Sequence, residues 1–364
     1  MAKQVGDWAR FDLVVRRNRI SPLAHHALVE AGVAVPAPVG QELSRRALAA
    51  ARKSLTMARE SIILQRAFER AGLPVMVLKG IPLAILAYGD LTLKESCDVD
   101  LLTTPEMVPK AAALLVELGY PNGLAHLDPT QLEAYLRLTK EAPFTHPVTG
   151  LTVDLHWGVT DNRHLMRGVG ATGPTQNVAT QVGVLHTIAA DELFAYLCLH
   201  GAVHNWSRLK WLADLGALLA PCDEAELKRL WEKSHAYGAG RAASVALLLY
   251  HRLLGRPLNE EFLSLLKDPM TRRIEGGVLA GLGYRSGAAE HLQYTPPWIR
   301  TMMAQFVLTK GLIHAIEHAR LMWTSPIDRL ETPLPARFEF LYPVLRIPLW
   351  LSRKGRNMAK HLQD

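Results

Sequence analysis

The hydrophobic positions follow two different periods, and the pattern changes near residue 74. Between residues 41 and 70 the apolar side chains recur at helical spacing, which predicts a long helix ended by Gly72 and Pro74. Residues 1–40 contain three prolines and predict short helices. After residue 74 the apolar residues are grouped in short runs rich in valine and leucine, which is typical of strands.

Four of these short runs predict a small sheet. Residues 75–78 and 97–103 are each followed by a predicted helix, over residues 82–88 and 105–118. Residues 142–145 and 151–157 predict a hairpin, because the proline and glycine of residues 146–150 favour a turn. Residues 158–185 hold several glycines, threonines and asparagines and predict a loop-rich connection. Further helical patterns cover residues 191–203, 207–220, 224–236, 239–254, 297–321 and 336–361.

Together these elements predict an α/β (α+β) fold with a small mixed sheet. We expect an N-terminal helical segment over residues 1–54, a core over 55–160 and a larger C-terminal helical domain over 161–364. An apolar content of 49% argues against disorder. The N-terminus has no apolar signal core, and no apolar run reaches the roughly 20 residues that cross a bilayer. The three cysteines are far apart and suit a reduced compartment, so we expect a cytoplasmic protein.

The net charge of +7 suits an anionic partner, although a solvated basic surface would give the same value. The last predicted helix combines aromatic residues with basic ones. Such a stretch could contact an anionic membrane or partner surface, while docking onto the domain is the simpler interpretation. Its basic residues are Arg337, Arg346, Arg353, Lys354, Arg356 and Lys360.

Three aspartates inside predicted strands are the candidate catalytic residues. Asp98 and Asp100 alternate on one strand, so they project from one face roughly 6.6 Å apart. Two bare carboxylates at that distance repel each other, and a divalent cation removes the penalty. Oxygen ligands favour magnesium or manganese. With Asp154 from another strand, the three acids would form a two-metal site for in-line phosphoryl or nucleotidyl displacement.

Residues near these acids are candidates for binding phosphate and nucleotide. Gly80 lacks a Cβ and lets the backbone approach phosphate oxygens, and a helix start after it offers free amides. Lys79 and Lys94 are the nearby cations, although Lys79 could be an ordinary residue at a strand end. His156 shares the strand face of Asp154 and is either a metal or acceptor partner or a packing residue.

The pair His200 and His204 has the i, i+4 spacing of a helical metal pair. No carboxylate or cysteine accompanies it at zinc spacing, so structural packing is the favoured interpretation. Asp214, in the next predicted helix, either locks the helical domain or faces the cleft.

The ordered motifs resemble the uncharacterised nucleotidyltransferase family of the DNA polymerase beta-type superfamily. The likeness spans roughly residues 55–220. Two positions depart from the pattern, since Ile81 stands where the wider superfamily commonly has serine and Lys94 where the family often has arginine. The motifs are Leu78-Lys79-Gly80, Tyr88, Lys94, Asp98-Val-Asp100-Leu-Leu, Gly119-Tyr120, Asp154-Leu-His156-Trp157, His200, His204, Trp206, Leu209, Trp211 and Asp214.

This resemblance implies a nucleotidyltransferase core and an activity of EC 2.7.7 type. A nucleoside triphosphate such as ATP would donate a nucleoside monophosphate to a hydroxyl or phosphate acceptor, with two magnesium or manganese ions at the three aspartates. The acceptor stays open among small molecules, peptides, proteins and RNA. Two alternatives also stay open: glycosyl or phosphoryl transfer at the same metal site, and a catalytically dormant module that binds nucleic acid or protein.

Overall fold

The N-terminal part of the chain consists of three helices in a computed structural model. The model describes residues 5–121, 123–124, 127–282, 305–308, 311–323, 328–329, 332, 334 and 336–361. The helices are α1 (Trp8–Arg17), α2 (Ser21–Glu30) and α3 (Ala37–Arg70). Pro22 and Pro38 lie in the first turns of α2 and α3, where a missing N–H costs nothing, so these prolines begin helices. The boundary predicted at residue 54 falls inside α3.

A four-stranded mixed sheet forms the centre, as the sequence predicted. Its spatial order is β1 (Met76–Val77), β2 (Val99–Leu102), β4 (Thr152–His156) and β3 (Glu141–Thr145). Strands β2 and β4 are parallel, and the other neighbouring pairs are antiparallel. Both β1 and β2 are shorter than expected, and Asp98 precedes β2. The helices between the strands are α4 (Ile81–Tyr88), α5 (Val108–Glu117) and α6 (Pro129–Leu138).

The two faces of the sheet have different roles because side chains alternate along each strand. On one face Val99, Leu101, Val153 and Leu155 are buried in a core shared with apolar residues of α3 and α5. The opposite face carries Asp100, Leu102, Asp154 and His156, and Leu102 packs against the C-terminal helices. The alternation predicted for residues 151–157 is therefore confirmed.

Residues 175–188 form a hairpin, so the loop-rich connection predicted over 158–185 is wrong for its last third. The strands are β5 (Thr175–Thr180) and β6 (Gly183–Ile188). Only a few apolar residues alternate with polar ones here, which made the strand pattern weak. Gln65 of α3 holds the hairpin: it donates to the Val184 carbonyl at 3.2 Å and accepts from the His186 N–H at 2.9 Å.

The C-terminal region is mainly helical, as predicted. No helix within the described residues is both long enough and apolar enough to cross a membrane. Two of its helices were not predicted: α11, which has only seven residues, and α12, in which two adjacent glycines weaken the helical pattern. The helix predicted over residues 297–321 lies partly outside the described residues. The helices are α7 (Ala190–Val203), α8 (Leu209–Leu219), α9 (Glu224–Ala236), α10 (Gly240–Leu254), α11 (Glu260–Leu266), α12 (Pro269–Gly281), α13 (Leu312–Trp323) and α14 (Tyr342–His361).

The last two helices expose much apolar surface. On α13 Leu312 and Ile316 are exposed, and on α14 Val344, Ile347 and Leu351 are exposed. One side of α14 therefore exposes its apolar side chains.

Candidate functional site

Two of the three predicted aspartates meet through the register of the parallel strands. Asp100 of β2 lies opposite Asp154 of β4, so both side chains project from the same face. His156 lies two residues further along β4 on that face. One ligand atom from each of these three side chains lies within 4.8 Å of the other two, which is the spacing of a metal-binding group.

Asp100 is the most deeply buried member of this acid cluster. Its side chain is fully buried, and Oδ1 lies 2.7 Å from Lys79 Nζ and 3.1 Å from His156 Nε2. Burial disfavours the carboxylate, but Lys79 and His156 outweigh it and hold the pKa of Asp100 below its ordinary value. Oδ2 is buried without a hydrogen-bond partner. Since an unpaired buried carboxylate oxygen is costly, the cluster fits a cation bound at this oxygen.

Lys79 supplies the positive charge closest to the cluster. Burial lowers the pKa of Lys79, but the surrounding groups, Asp100 and Asp98 among them, raise it well above its ordinary value. The lysine is therefore charged and neutralises Asp100. As a cluster partner it is less available to a phosphate than a free strand-end lysine would be.

Asp154 is only partly buried and faces the cavity. Burial, together with repulsion from Asp98 and Asp100, raises the pKa of Asp154 to about 6. Asp98 precedes β2 and is not part of the compact group formed by the other two acids and His156. It nevertheless lines the same cavity and acts electrostatically on Asp154. The structure thus brings all three aspartates to one place, with Asp98 at its edge.

Lys94 reaches the cavity but is paired with a carboxylate. Its ammonium forms an ion pair with Asp214 of α8, and the Tyr88 hydroxyl donates to the other oxygen of that carboxylate at 2.9 Å. Lys94 and Asp214 are both buried. This contact fastens the helical region to the core, which is one of the two roles considered for Asp214.

Gly80 adopts a conformation that other residues avoid. With φ of 70° and ψ of −110° it turns the chain from β1 into α4, whose first residue is Ile81. A Cβ at Gly80 would lie 3.6 Å from the Asp98 carbonyl oxygen, which is an ordinary contact. The glycine is therefore required by its backbone angles, and Ile81, where serine is common, is buried.

The acid cluster opens into a cavity of about 760 Å³ between the sheet, α7, α8, α13 and Arg19, which follows α1. That volume suits a ligand of nucleotide size. His200 and His204 line it with ring centroids 4.7 Å apart, and His204 stacks on Trp211 at 4.9 Å. No third metal-ligating side chain of the described residues joins them, which agrees with the packing interpretation.

Two charged residues of the cavity, Glu141 and Lys140, were not predicted from the sequence. Glu141 begins β3 opposite His156, and its Oε2 lies 3.0 Å from His156 Nδ1 without hydrogen-bond geometry. Lys140 pairs with Glu141, and both line the cavity. Starting the strand one residue before Ala142 would have placed Glu141 on the face of Asp154. The signal was weak because the strand begins directly after a lysine.

Comparison with known proteins agrees with the motifs. A family model described as uncharacterised nucleotidyltransferase matches residues 4–255. The match extends further at both ends than the resemblance seen over residues 55–220. No curated protein and no solved structure matches the chain.

Proposed function

The chain belongs to the uncharacterised nucleotidyltransferase family, and from this premise we propose that it moves a nucleoside monophosphate from a nucleoside triphosphate to a hydroxyl or phosphate acceptor. The observation that carries the proposal is the meeting of Asp100, Asp154 and the buried His156, with both aspartates lining a nucleotide-sized cavity. The buried, unpaired Asp100 Oδ2 supports a cation in the reaction.

Asp98, Asp100 and Asp154 would hold two divalent ions, magnesium or manganese, which when bound supply positive charge at the entering and leaving oxygens. Lys79 and His156 fix the Asp100 carboxylate through its Oδ1. Asp154 is half-buried, lines the cavity and can accept the proton of the acceptor. The amides at the start of α4, next to Gly80, are suited to phosphate oxygens.

In the proposed reaction an acceptor oxygen attacks the α-phosphorus. A bond forms between that oxygen and the phosphorus, and the bond from the α-phosphorus to the oxygen bridging the β-phosphorus breaks. Pyrophosphate leaves with the electron pair, and the acceptor proton passes to Asp154 or to water. The reaction therefore balances without an oxidant or reductant.

The test uses triphosphates labelled at the α-phosphate. Each of the four ribonucleoside triphosphates is incubated with the protein, magnesium or manganese and a cell extract, and mass analysis identifies the molecule that gains the label. We expect Asp98→Asn, Asp100→Asn and Asp154→Asn each to lower transfer by about 100-fold or more, whereas Glu133→Gln, an exposed acid on α6, changes nothing. Wild-type rates in all three aspartate variants would refute the proposal.

The same experiment separates the alternatives. Transfer of a glycosyl or terminal phosphoryl group would label the acceptor only from a donor carrying the label in that group. A dormant binding module would transfer nothing but would bind RNA or protein without metal, and RNA binding would weaken steeply with salt.

A further inference from the structure

Six lysine and arginine side chains of the described residues line the cavity, and three of them form no ion pair with a described carboxylate. The neutralised ones are Lys79 with Asp100, Lys94 with Asp214 and Lys140 with Glu141. Arg19, Arg208 and Lys210 form no ion pair with any carboxylate among the described residues. We call these three side chains the cation wall.

One side-chain amide brings the cation wall together from two distant parts of the sequence. Asn18, at the end of α1, donates to the Val14 carbonyl at 2.8 Å and accepts from the Leu209 N–H at 2.9 Å. Arg19 directly follows Asn18, while Arg208 and Lys210 flank Leu209 at the start of α8. The hydrogen bond between Asn18 and Leu209 therefore places the three cations beside one another.

Arg19 is held in a strained backbone conformation. Its φ of 53° lies in the left-handed region that residues other than glycine, asparagine and aspartate rarely adopt. Its Nη1 donates to the Cys97 sulfur at 3.0 Å. Because Cys97 precedes Asp98, this contact places the guanidinium close to the acidic side of the cavity. Strain at a residue that lines a cavity is typical of functional positions.

Arg19 disfavours the charges of Arg208 and Lys210. Burial lowers the pKa of Arg208, and Arg19 lowers it further. Burial also lowers the pKa of Lys210, and the nearby charges of Lys94 and Arg19 lower it further. Glu95 raises the pKa of Arg208 and Asp214 raises that of Lys210, but neither carboxylate forms an ion pair with these two cations and both pKa values stay lowered. A bound anion would relieve the repulsion that remains.

We propose that the cation wall binds a phosphate group of a substrate. The proposal rests on the proposed function and assigns the phosphate end of its substrates to Arg19, Arg208 and Lys210. Two sources carry this chemistry, the polyphosphate tail of the donor triphosphate and a phosphate on the acceptor. The acid cluster and the cation wall would then hold opposite ends of the reacting groups in one cavity.

Binding of inorganic tripolyphosphate, measured by calorimetry without metal, tests the cation wall independently of catalysis. We expect Arg208→Gln and Lys210→Gln each to weaken binding about tenfold, the change that corresponds to one lost charge-assisted hydrogen bond. Lys110→Gln is the matched control, because Lys110 is exposed on α5, on the other side of the sheet. In the absence of phosphate the two cavity variants should melt no lower than the wild type, since each removes an unpaired charge.

Two further arms identify the source of the phosphate. If the variants also lose affinity for a nucleoside triphosphate, the wall binds the donor tail. If they keep that affinity but lose binding of a nucleoside 5′-monophosphate, the wall binds a phosphate on the acceptor. If the variant that combines Arg208→Gln with Lys210→Gln bound tripolyphosphate, the nucleoside triphosphate and the nucleoside 5′-monophosphate as tightly as the wild type does, the proposal would be overturned. If the variants lost tripolyphosphate binding but the wild type transferred no nucleotide, the phosphate site at the cation wall would be supported and the proposed function would be refuted.

Discussion

Replacing Asp154 by asparagine should stabilise the metal-free protein near neutral pH. The raised pKa of Asp154, about 6 against an ordinary 3.8, means that the folded chain disfavours its charge. This difference corresponds to at most about 3 kcal/mol. Because the carboxylate is partly open to solvent, which screens the repulsion, we expect asparagine to recover about 1–2 kcal/mol of the free energy of unfolding.

The sign of the pH dependence follows from the direction of the shift. Below pH 3.8 the carboxyl group is protonated in both the folded and the unfolded chain, so Asp154 has no effect on stability. Between pH 3.8 and about 6 the unfolded chain releases the proton while the folded chain retains it, so stability falls as pH rises. The advantage of Asp154→Asn should therefore be full at pH 7.5 and nearly absent at pH 4.

Urea unfolding at pH 7.5 and pH 4, with and without magnesium, measures these effects. Magnesium should stabilise the wild type by mass action and should stabilise the variant much less. Glu133→Gln removes an exposed acid on α6 and serves as the control, with a change below about 0.5 kcal/mol. If Asp154→Asn destabilised the protein at pH 7.5, or kept its advantage at pH 4, burial of the Asp154 charge and its repulsion by Asp98 and Asp100 would not be the cause.

Three other variants test the neighbourhood of the cluster and the C-terminus. Lys79→Met should lower the free energy of unfolding by about 2–4 kcal/mol, because it leaves the buried Asp100 without its ammonium partner and with His156 alone. Urea unfolding should show that adding Asp100→Leu restores most of the loss, and no recovery would contradict the pairing. Gly80→Ala should lower the free energy of unfolding by about 1–3 kcal/mol, because alanine disfavours the backbone angles of Gly80. The control Gly276→Ala in α12, where an added Cβ contacts no atom, should be neutral or stabilising. Equal losses of stability in thermal unfolding would argue against backbone strain at Gly80. If α14 binds an anionic membrane, Ile347→Glu should lower the affinity for anionic vesicles at least about tenfold, since it places a charge on the exposed apolar side of this helix. Vesicle sedimentation measures the affinity, and equal sedimentation of the wild type with neutral and anionic vesicles would exclude recognition of an anionic membrane.

The strands of the core and the side of the sheet that holds the site could be predicted from the sequence. In β4 the alternation of Val153 and Leu155 with Asp154 and His156 fixes which residues face the core, because a shift by one residue would expose the apolar set. Burial of the apolar residues therefore forces the polar ones onto the other face. The meeting of Asp154 with Asp100 additionally requires β2 and β4 to be parallel neighbours, which no local pattern reveals.

Elements with weak local patterns were missed. The hairpin of β5 and β6 depends on hydrogen bonds from Gln65 of α3, more than a hundred residues away in the sequence. Its buried side chains, such as Val178 and Leu185, are few and are separated by threonine and glycine. Tertiary contacts decide the structure of such a segment.

The charges of the cavity show most clearly what local reasoning cannot supply. A lysine beside a motif is visible in the sequence, but whether its charge is already neutralised depends on a partner elsewhere in the chain. Lys79 and Lys94 are the conspicuous cations of the motif, and in the fold each neutralises a buried carboxylate. The cavity cations that form no ion pair with a described carboxylate come from the end of α1 and the start of α8, which the hydrogen bond from the Leu209 N–H to Asn18 joins. Because only uncompensated charge attracts an anion strongly, the phosphate site should be sought at the cation wall before the motif lysines.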